Sequence, residues 1–126
     1  MRTNRRMRRT RVKTMYLRRR IVTKDGEGVP NISFGEPTEV KGEYWRASGK
    51  LQVETYGDRI NNIYNVKIRG EYTISQRASH QEYNFGDFSL CEGDGLCIHV
   101  DSDQNPDYRI ISITPYRPLR MEVEKI

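Results

Sequence analysis

No stretch of this chain comes near the eighteen or so consecutive apolar residues that a membrane helix requires; the densest, residues 96–100, includes His99. A helical span is therefore excluded, and the expectation is a soluble protein with no membrane partner. Cysteine is scarce: Cys91 and Cys97 stand alone, six positions apart. No apolar secretory core follows the basic start, so reduced thiols in a cytosol-like compartment are expected rather than a disulfide framework. Acids are missing from the first twenty residues, which hold ten Lys or Arg. The remaining chain carries twelve bases against seventeen acids, so the sequence pI of 9.4 belongs to a basic leader and not to the body. With 126 residues the chain has room for one domain and one modest core.

The leader, residues 1–13, reads MRTNRRMRRTRVK and shows neither helical nor strand periodicity. Like charges at this density repel, and too little apolar surface is present to offset the ordering entropy, so a flexible arm is expected. The six arginines Arg2, Arg5, Arg6, Arg8, Arg9 and Arg11 suit phosphates or an acidic protein surface, because Arg makes bidentate contacts without a rigid frame. No aromatic precedes Tyr16, so stacking on single-stranded bases is not indicated.

From Thr14 to Ile126 the texture is that of short strands. Residues 15–23 lead into Lys24-Asp25-Gly26, where Asp-Gly is expected to supply the positive φ of a hairpin. Residues 32–41 are interrupted by Gly35 and Pro37, which demotes them to an edge or irregular strand, and residues 43–47 form a further extended piece. Tyr64, Val66 and Ile68 alternate with polar residues, as do Leu96, Ile98 and Val100; Gly70 turns the chain into Tyr72 and Ile74. Leu119, Met121 and Val123 give the clearest period of two. Residues 49–60 fit either a strand through Leu51, Val53 and Thr55 or, preferably, a short helix capped by Ser48 with Val53, Tyr56 and Ile60 on one face. The expected fold is mainly β: a small antiparallel barrel or sandwich, residues 14–126, with one short helix and the basic N-terminal arm. Residues 75–86 are almost devoid of apolar side chains and read as a long exposed loop, with His80, Gln81, Glu82 and Tyr83 as its functional candidates.

Chemistry-bearing constellations are weak. Asp101, Asp103, Asn105 and Asp107 imitate the first half of a calcium loop, but Pro106 replaces the required Gly and Ser112 the bidentate Glu. Cys91, Cys97, His99 and His80 match no zinc spacing. The turn at Glu92-Gly93-Asp94-Gly95 lacks the Lys and hydroxyl of a phosphate loop. No Ser or Cys lies in a nucleophile motif, and six acids between Asp87 and Asp107 without Lys or Arg suggest a solvated face. The expectation is a protein that is not an enzyme and needs no metal, cofactor or small-molecule substrate. Opposite charges on one chain make head-to-tail self-association plausible, closing into a ring if the rotation permits. Tyr44, Trp45 and Arg46 have the composition of interface anchors, although Trp45 is equally well read as a core plug.

Two stretches carry a resemblance. Glu43-Tyr-Trp-Arg-Ala-Ser-Gly-Lys-Leu, and the end running from Asp107-Tyr-Arg-Ile-Ile to Met121-Glu-Val-Glu-Lys, are similar to the head-tail joining, or head-closure, proteins of long-tailed bacteriophages. In that family a short N-terminal strand, an aromatic plus Ser-Gly segment, a small barrel and a final strand pair recur. The resemblance spans residues 15–126; the Arg-rich arm and residues 75–86 depart from it. It implies a virion protein of the neck, met in the host cytoplasm during assembly, that forms a cyclic ring of its own copies beneath the portal or adaptor ring. Such a ring closes the DNA channel and docks tail terminator or tail-tube proteins. Repeated around an axis, the arms would form a collar for non-specific contact with duplex DNA or for the ring above. The alternative is a stand-alone nucleic-acid-binding β-barrel tethered by its arm.

Overall fold

The computed structural model describes residues 12–77 and 80–126, so the expected arm with Arg2, Arg5, Arg6, Arg8, Arg9 and Arg11 lies outside the described residues. The chain is mainly β. Strands β1 (Lys13–Lys24), β2 (Pro30–Arg46), β3 (Ile63–Ile68), β7 (Gly95–Cys97), β8 (Tyr108–Thr114) and β9 (Leu119–Lys125) close into an antiparallel barrel in the order β1-β2-β3-β9-β8-β7. A three-stranded sheet, β4 (Thr73–Gln76), β5 (Gln81–Asn84) and β6 (Ser89–Leu90), is inserted between β3 and β7. Helix α1 (Lys50–Tyr56) continues into a 3-10 stretch, Gly57–Asn62.

Period two decides which side chains enter the barrel. Leu119, Met121 and Val123 of β9, Val66 and Ile68 of β3, Met15 and Leu17 of β1, and Leu96, Ile110 and Val40 are buried together. Two glycines let the walls come close enough. A Cβ on Gly42 would overlap the backbone carbonyl oxygen of Lys67, where β2 first meets β3; one on Gly95 would overlap the Pro106 ring.

Three local expectations need correction. Residues 32–41 and 43–47 form one continuous seventeen-residue strand rather than two pieces. β3 pairs only with Gly42–Arg46, so the earlier part of β2 has an open edge that tolerates Pro37 without an N–H. In the β1–β2 turn the positive φ sits on Gly28 (82°) and not on Gly26, because Asp25 Oδ1 accepts the amides of Glu27 (2.8 Å) and Val29 (3.0 Å) and lengthens the turn. Residues 75–86 are not a long exposed loop: β4 and β5 pair as a hairpin, with Ile74 opposite Tyr83. Of the loop candidates, His80 and Gln81 are exposed, but Glu82 is half-buried and Tyr83 is buried beside Tyr72, their ring centroids 6.0 Å apart. Only Tyr83 of β5 and Leu90 of β6 are buried within this small sheet, with Tyr72 just before β4, too sparse a pattern to show as alternation.

The helix reading of residues 49–60 is correct, its cap and face are not. Gly49, not Ser48, occupies the N-cap and no side-chain cap bond forms; instead Gln52 Oε1 accepts the Ser48 amide at 3.0 Å. None of the helical residues is buried, and Val53 is exposed, because α1 lies on the outside of the barrel and meets polar wall residues.

Beyond the barrel, β1 and β2 continue alone. β7 pairs with Tyr16–Arg18 and β3 with Gly42–Arg46, so among the described residues Arg20–Lys24 and Pro30–Phe34 have strand partners only in each other. This ribbon exposes Ile21, Val22, Val29 and Ile32, the last to 61%, with Val22 directly opposite Ile32. Two open edges and an apolar pair in solvent are what an isolated domain ordinarily suppresses.

Candidate functional site

The outer wall of β2, β3 and β9 presents two polar rows. Register places Glu43 opposite Lys67 and Lys67 opposite Arg120; one step along, Trp45 faces Asn65 and Asn65 faces Glu122. Helix α1 covers the second row. Gln52 Nε2 donates to Asn65 Oδ1 (2.6 Å) and Glu122 Oε2 (2.7 Å), and Tyr56 Oη donates to Glu122 Oε1 (2.7 Å). Burial first, and the bond to Glu122 second, push the Tyr56 phenol up to about 12. Below the helix, Arg59 forms a bidentate pair with Glu124 at 2.7 and 2.8 Å, which holds that carboxyl below the usual glutamate range.

The first row stays open. It floors a cleft of about 700 Å³ lined by Glu43, Trp45, Lys67, Tyr116, Arg117, Pro118 and Arg120. A second hollow of about 440 Å³ shares Trp45, Tyr116 and Arg120 with it and runs toward Ser48 and Leu51 at the foot of α1. Lys67 Nζ stands 5.9 Å and Arg120 Cζ 5.1 Å from the Trp45 ring centre, each over its π face. Lys67 also reaches Glu43 at 3.7 Å, whereas Arg120 forms no ion pair among the described residues. The rim is fixed by Tyr72, whose hydroxyl donates to the Tyr116 carbonyl at 2.7 Å and whose ring lies 4.4 Å from Arg117 Cζ. Three cations against one carboxylate, an aromatic floor, and the exposed Tyr116 at the margin equip this cleft to hold an acidic group against an apolar surface; Glu122 of the adjoining hollow is taken up by Gln52 and Tyr56.

Of the expected interface trio, only Trp45 belongs to this cleft, half-buried and on the outer wall, so it is neither a core plug nor a bare surface anchor. Tyr44 points to the opposite side of β2. It packs at 5.2 Å from Tyr64 and 5.7 Å from His99, and Tyr64 stacks at 5.1 Å on Tyr108. Tyr44 is half-buried rather than exposed and packs against the core. Arg46 is exposed at the end of β2. Lys67, Tyr116, Arg117 and Arg120 were not singled out from sequence, although alternation alone puts Lys67 and Arg120 on the outer faces of their strands.

A second polar centre joins the barrel to the small sheet. Arg19 Nη1 donates to Ser89 Oγ at 2.7 Å, and the same guanidinium approaches Glu82 (3.4 Å) and Asp94 (3.2 Å). The buried Asp94 carboxylate accepts the amides of Arg20 and Cys91, both at 3.0 Å, and burial pushes its carboxyl up against the pull of those donors.

The six acids between Asp87 and Asp107 do not act as one face. Asp94 is buried, and Asp107 accepts the amides of Ile98 (2.9 Å) and His99 (3.0 Å), so its oxygens are committed to backbone rather than to a calcium-type loop. Asp101 and Asp103 remain exposed without an ion pair among the described residues. The alternation expected over Leu96, Ile98 and Val100 is also corrected, since β7 ends at Cys97 and all three of its residues are buried. No group of three or more His, Cys, Asp or Glu suited to a metal ion occurs among the described residues. The chain matches no protein-family model, no curated protein and no solved structure.

Proposed function

We propose that this chain is a structural assembly protein of the bacteriophage neck, of the head-closure kind, acting as a ring of copies between the portal or adaptor ring and the tail. One observation carries the reading. The two stretches that resemble head-closure proteins are distant in sequence, yet they build the same surface: Glu43 and Trp45 of the first meet Tyr116, Arg117, Pro118 and Arg120 of the second in the cleft, and Ser48 and Leu51 meet Thr114 and Glu122 in the hollow beside it. What the stretches have in common is thus a contact surface of the composition that dominates protein interfaces.

The projecting ribbon supports the same reading. A two-stranded ribbon has marginal stability by itself, and its exposed Val22–Ile32 pair gains burial only against another molecule. In the neck this ribbon docks on the neighbouring ring, and the arginines of the arm meet DNA phosphates or an acidic collar.

The test is co-assembly. The full chain is mixed with a portal-plus-adaptor ring from the same source, and complexes are separated by sedimentation and imaged. Joining the ring in cyclic stoichiometry is expected. A chain that stays free of the ring while binding duplex DNA as a monomer would instead establish the tethered nucleic-acid-binding reading.

A further inference from the structure

We infer that the cationic cleft around Trp45 receives the acidic segment 98–107 of a second copy of this chain, giving a head-to-tail subunit contact. The inference rests on the ring reading above and names its interface.

Three observations converge on this occupant. The first is charge. Lys67, Arg117 and Arg120 outnumber Glu43 in the cleft, and Lys67 already satisfies that carboxylate. Segment 98–107 contains Asp101, Asp103 and Asp107 and no Lys or Arg, with Asp101 and Asp103 free to meet cations. The basic arm, by contrast, would be repelled from this cleft.

The second is preorganisation. Arg18 Nη1 donates to the Gln104 carbonyl (2.7 Å) and the Ser102 carbonyl (3.4 Å), and the Gln104 amide closes a turn on the Asp101 carbonyl at 3.0 Å. The guanidinium therefore grips the segment through its backbone and leaves the two aspartates without an ion pair among the described residues. A knuckle held in shape loses little entropy on docking.

The third is placement. The cleft is centred on β3, flanked by β2 and β9, whereas segment 98–107 connects β7 to β8. In the barrel order β1-β2-β3-β9-β8-β7, β7 is three strands from β3 in either direction. Within the segment His99 packs on Tyr44 of β2 and Tyr64 of β3, 5.7 Å from each ring centre, but no residue of 98–107 lines the cleft. Two complementary and different surfaces make a heterologous contact, the kind that propagates around a ring, and not a two-fold dimer.

The chain's single tryptophan is Trp45 itself, so its emission reports directly on the cleft. In low salt, emission and sedimentation are followed together over a protein concentration series. The wild-type chain is expected to show a blue-shifted Trp45 as it associates. D101K/D103K and K67E/R120E should each associate at least about tenfold more weakly. An equimolar mixture of the two variants should recover association, because the reversed knuckle of one then fits the reversed cleft of the other in alternation. Should K67E/R120E fail to fold by circular dichroism, R120E alone carries the same test.

The inference is overturned if wild-type emission and mass are independent of concentration, or if association survives both charge reversals. Failure of the mixture to recover it, with both variants folded, overturns it equally. Binding to the connector ring separates the two claims. Undiminished ring binding and stoichiometry in D101K/D103K would reject this contact and keep the neck reading. Salt-sensitive self-association through Trp45 by a chain that ignores the connector would do the reverse.

Discussion

Arg120 of β9 lies with its guanidinium carbon 5.1 Å from the ring centre of Trp45 in β2, reached across the intervening strand β3. The pair lies diagonally across β3, Arg120 in the row of Lys67 and Trp45 in the neighbouring row of Asn65, and it gives the floor of the cleft an aromatic face with positive charge over it. Removing the guanidinium with R120A should cost about 0.5–1 kcal/mol, the range of an exposed cation–π contact. Urea unfolding of R120A, W45L and the double variant checks this: a coupling near zero would mean that the two side chains are merely adjacent.

Gly42 and Gly35 form a matched pair within one strand. A methyl group at Gly42 collides with the Lys67 carbonyl, part of the wall that cannot move without breaking the β2–β3 ladder; at Gly35 its nearest neighbour is the Ile21 side chain at 3.6 Å, an ordinary contact. G42A should therefore destabilise by about 3 kcal/mol, while G35A stays within about 0.5 kcal/mol of wild type. Denaturant midpoints of the two variants decide it, and equal midpoints would contradict the close approach of the strands.

Alkaline stability should fall early for a β protein with buried phenols. Burial first, then Glu122 for Tyr56 and Tyr64 for Tyr108, raises both phenols to about 12. Their unfolded counterparts ionise near 10. A raised folded value means that the folded state keeps its protons longer, so this contribution is full below pH 10 and disappears as pH climbs toward 12. Burial raises Tyr83 as well, so tyrosinate absorbance should show Tyr56, Tyr83 and Tyr108 titrating late, and Y56F should remove one of the three.

On the acid side the sign reverses. The hydrogen bonds from Arg59 come first in lowering the Glu124 carboxyl, so its contribution is present above the ordinary glutamate range and is lost as pH falls through the lowered folded value. R59A should flatten the decline of melting temperature below about pH 4.5. An unchanged acid limb would show that Arg59 does not hold Glu124 in solution.

Asp94 is the buried anchor between barrel and small sheet. D94N keeps the volume but gives one amide donor, Arg20 or Cys91, an NH2 group where it had an oxygen. About 1–3 kcal/mol should be lost, the cost of one unsatisfied buried donor. Hydrogen exchange at those two amides should accelerate most.

Some of this was legible before any coordinates. Leu119, Met121 and Val123 alternate with charges and do enter the core, because alternation is a local consequence of the pleat that needs no knowledge of the neighbouring strand. Residues 75–86 were not legible. Their hairpin is anchored by Tyr83 on Tyr72, a contact the local pattern does not encode. The same holds for α1, whose Gln52 and Tyr56 bind Asn65 and Glu122 rather than an apolar core.

By itself the sequence determined a mainly β chain with a basic leader and an acidic body, since composition and period two act through neighbours along the chain. Only the tertiary structure decided that Glu43, Lys67 and Arg120 share a row, that Tyr44 turns inward while Trp45 turns out, and that Asp101 and Asp103 stand exposed outside the cleft. Register across a closed barrel is set by how all six strands fit together at once, through close approaches such as Gly42 on Lys67. No single segment carries that information.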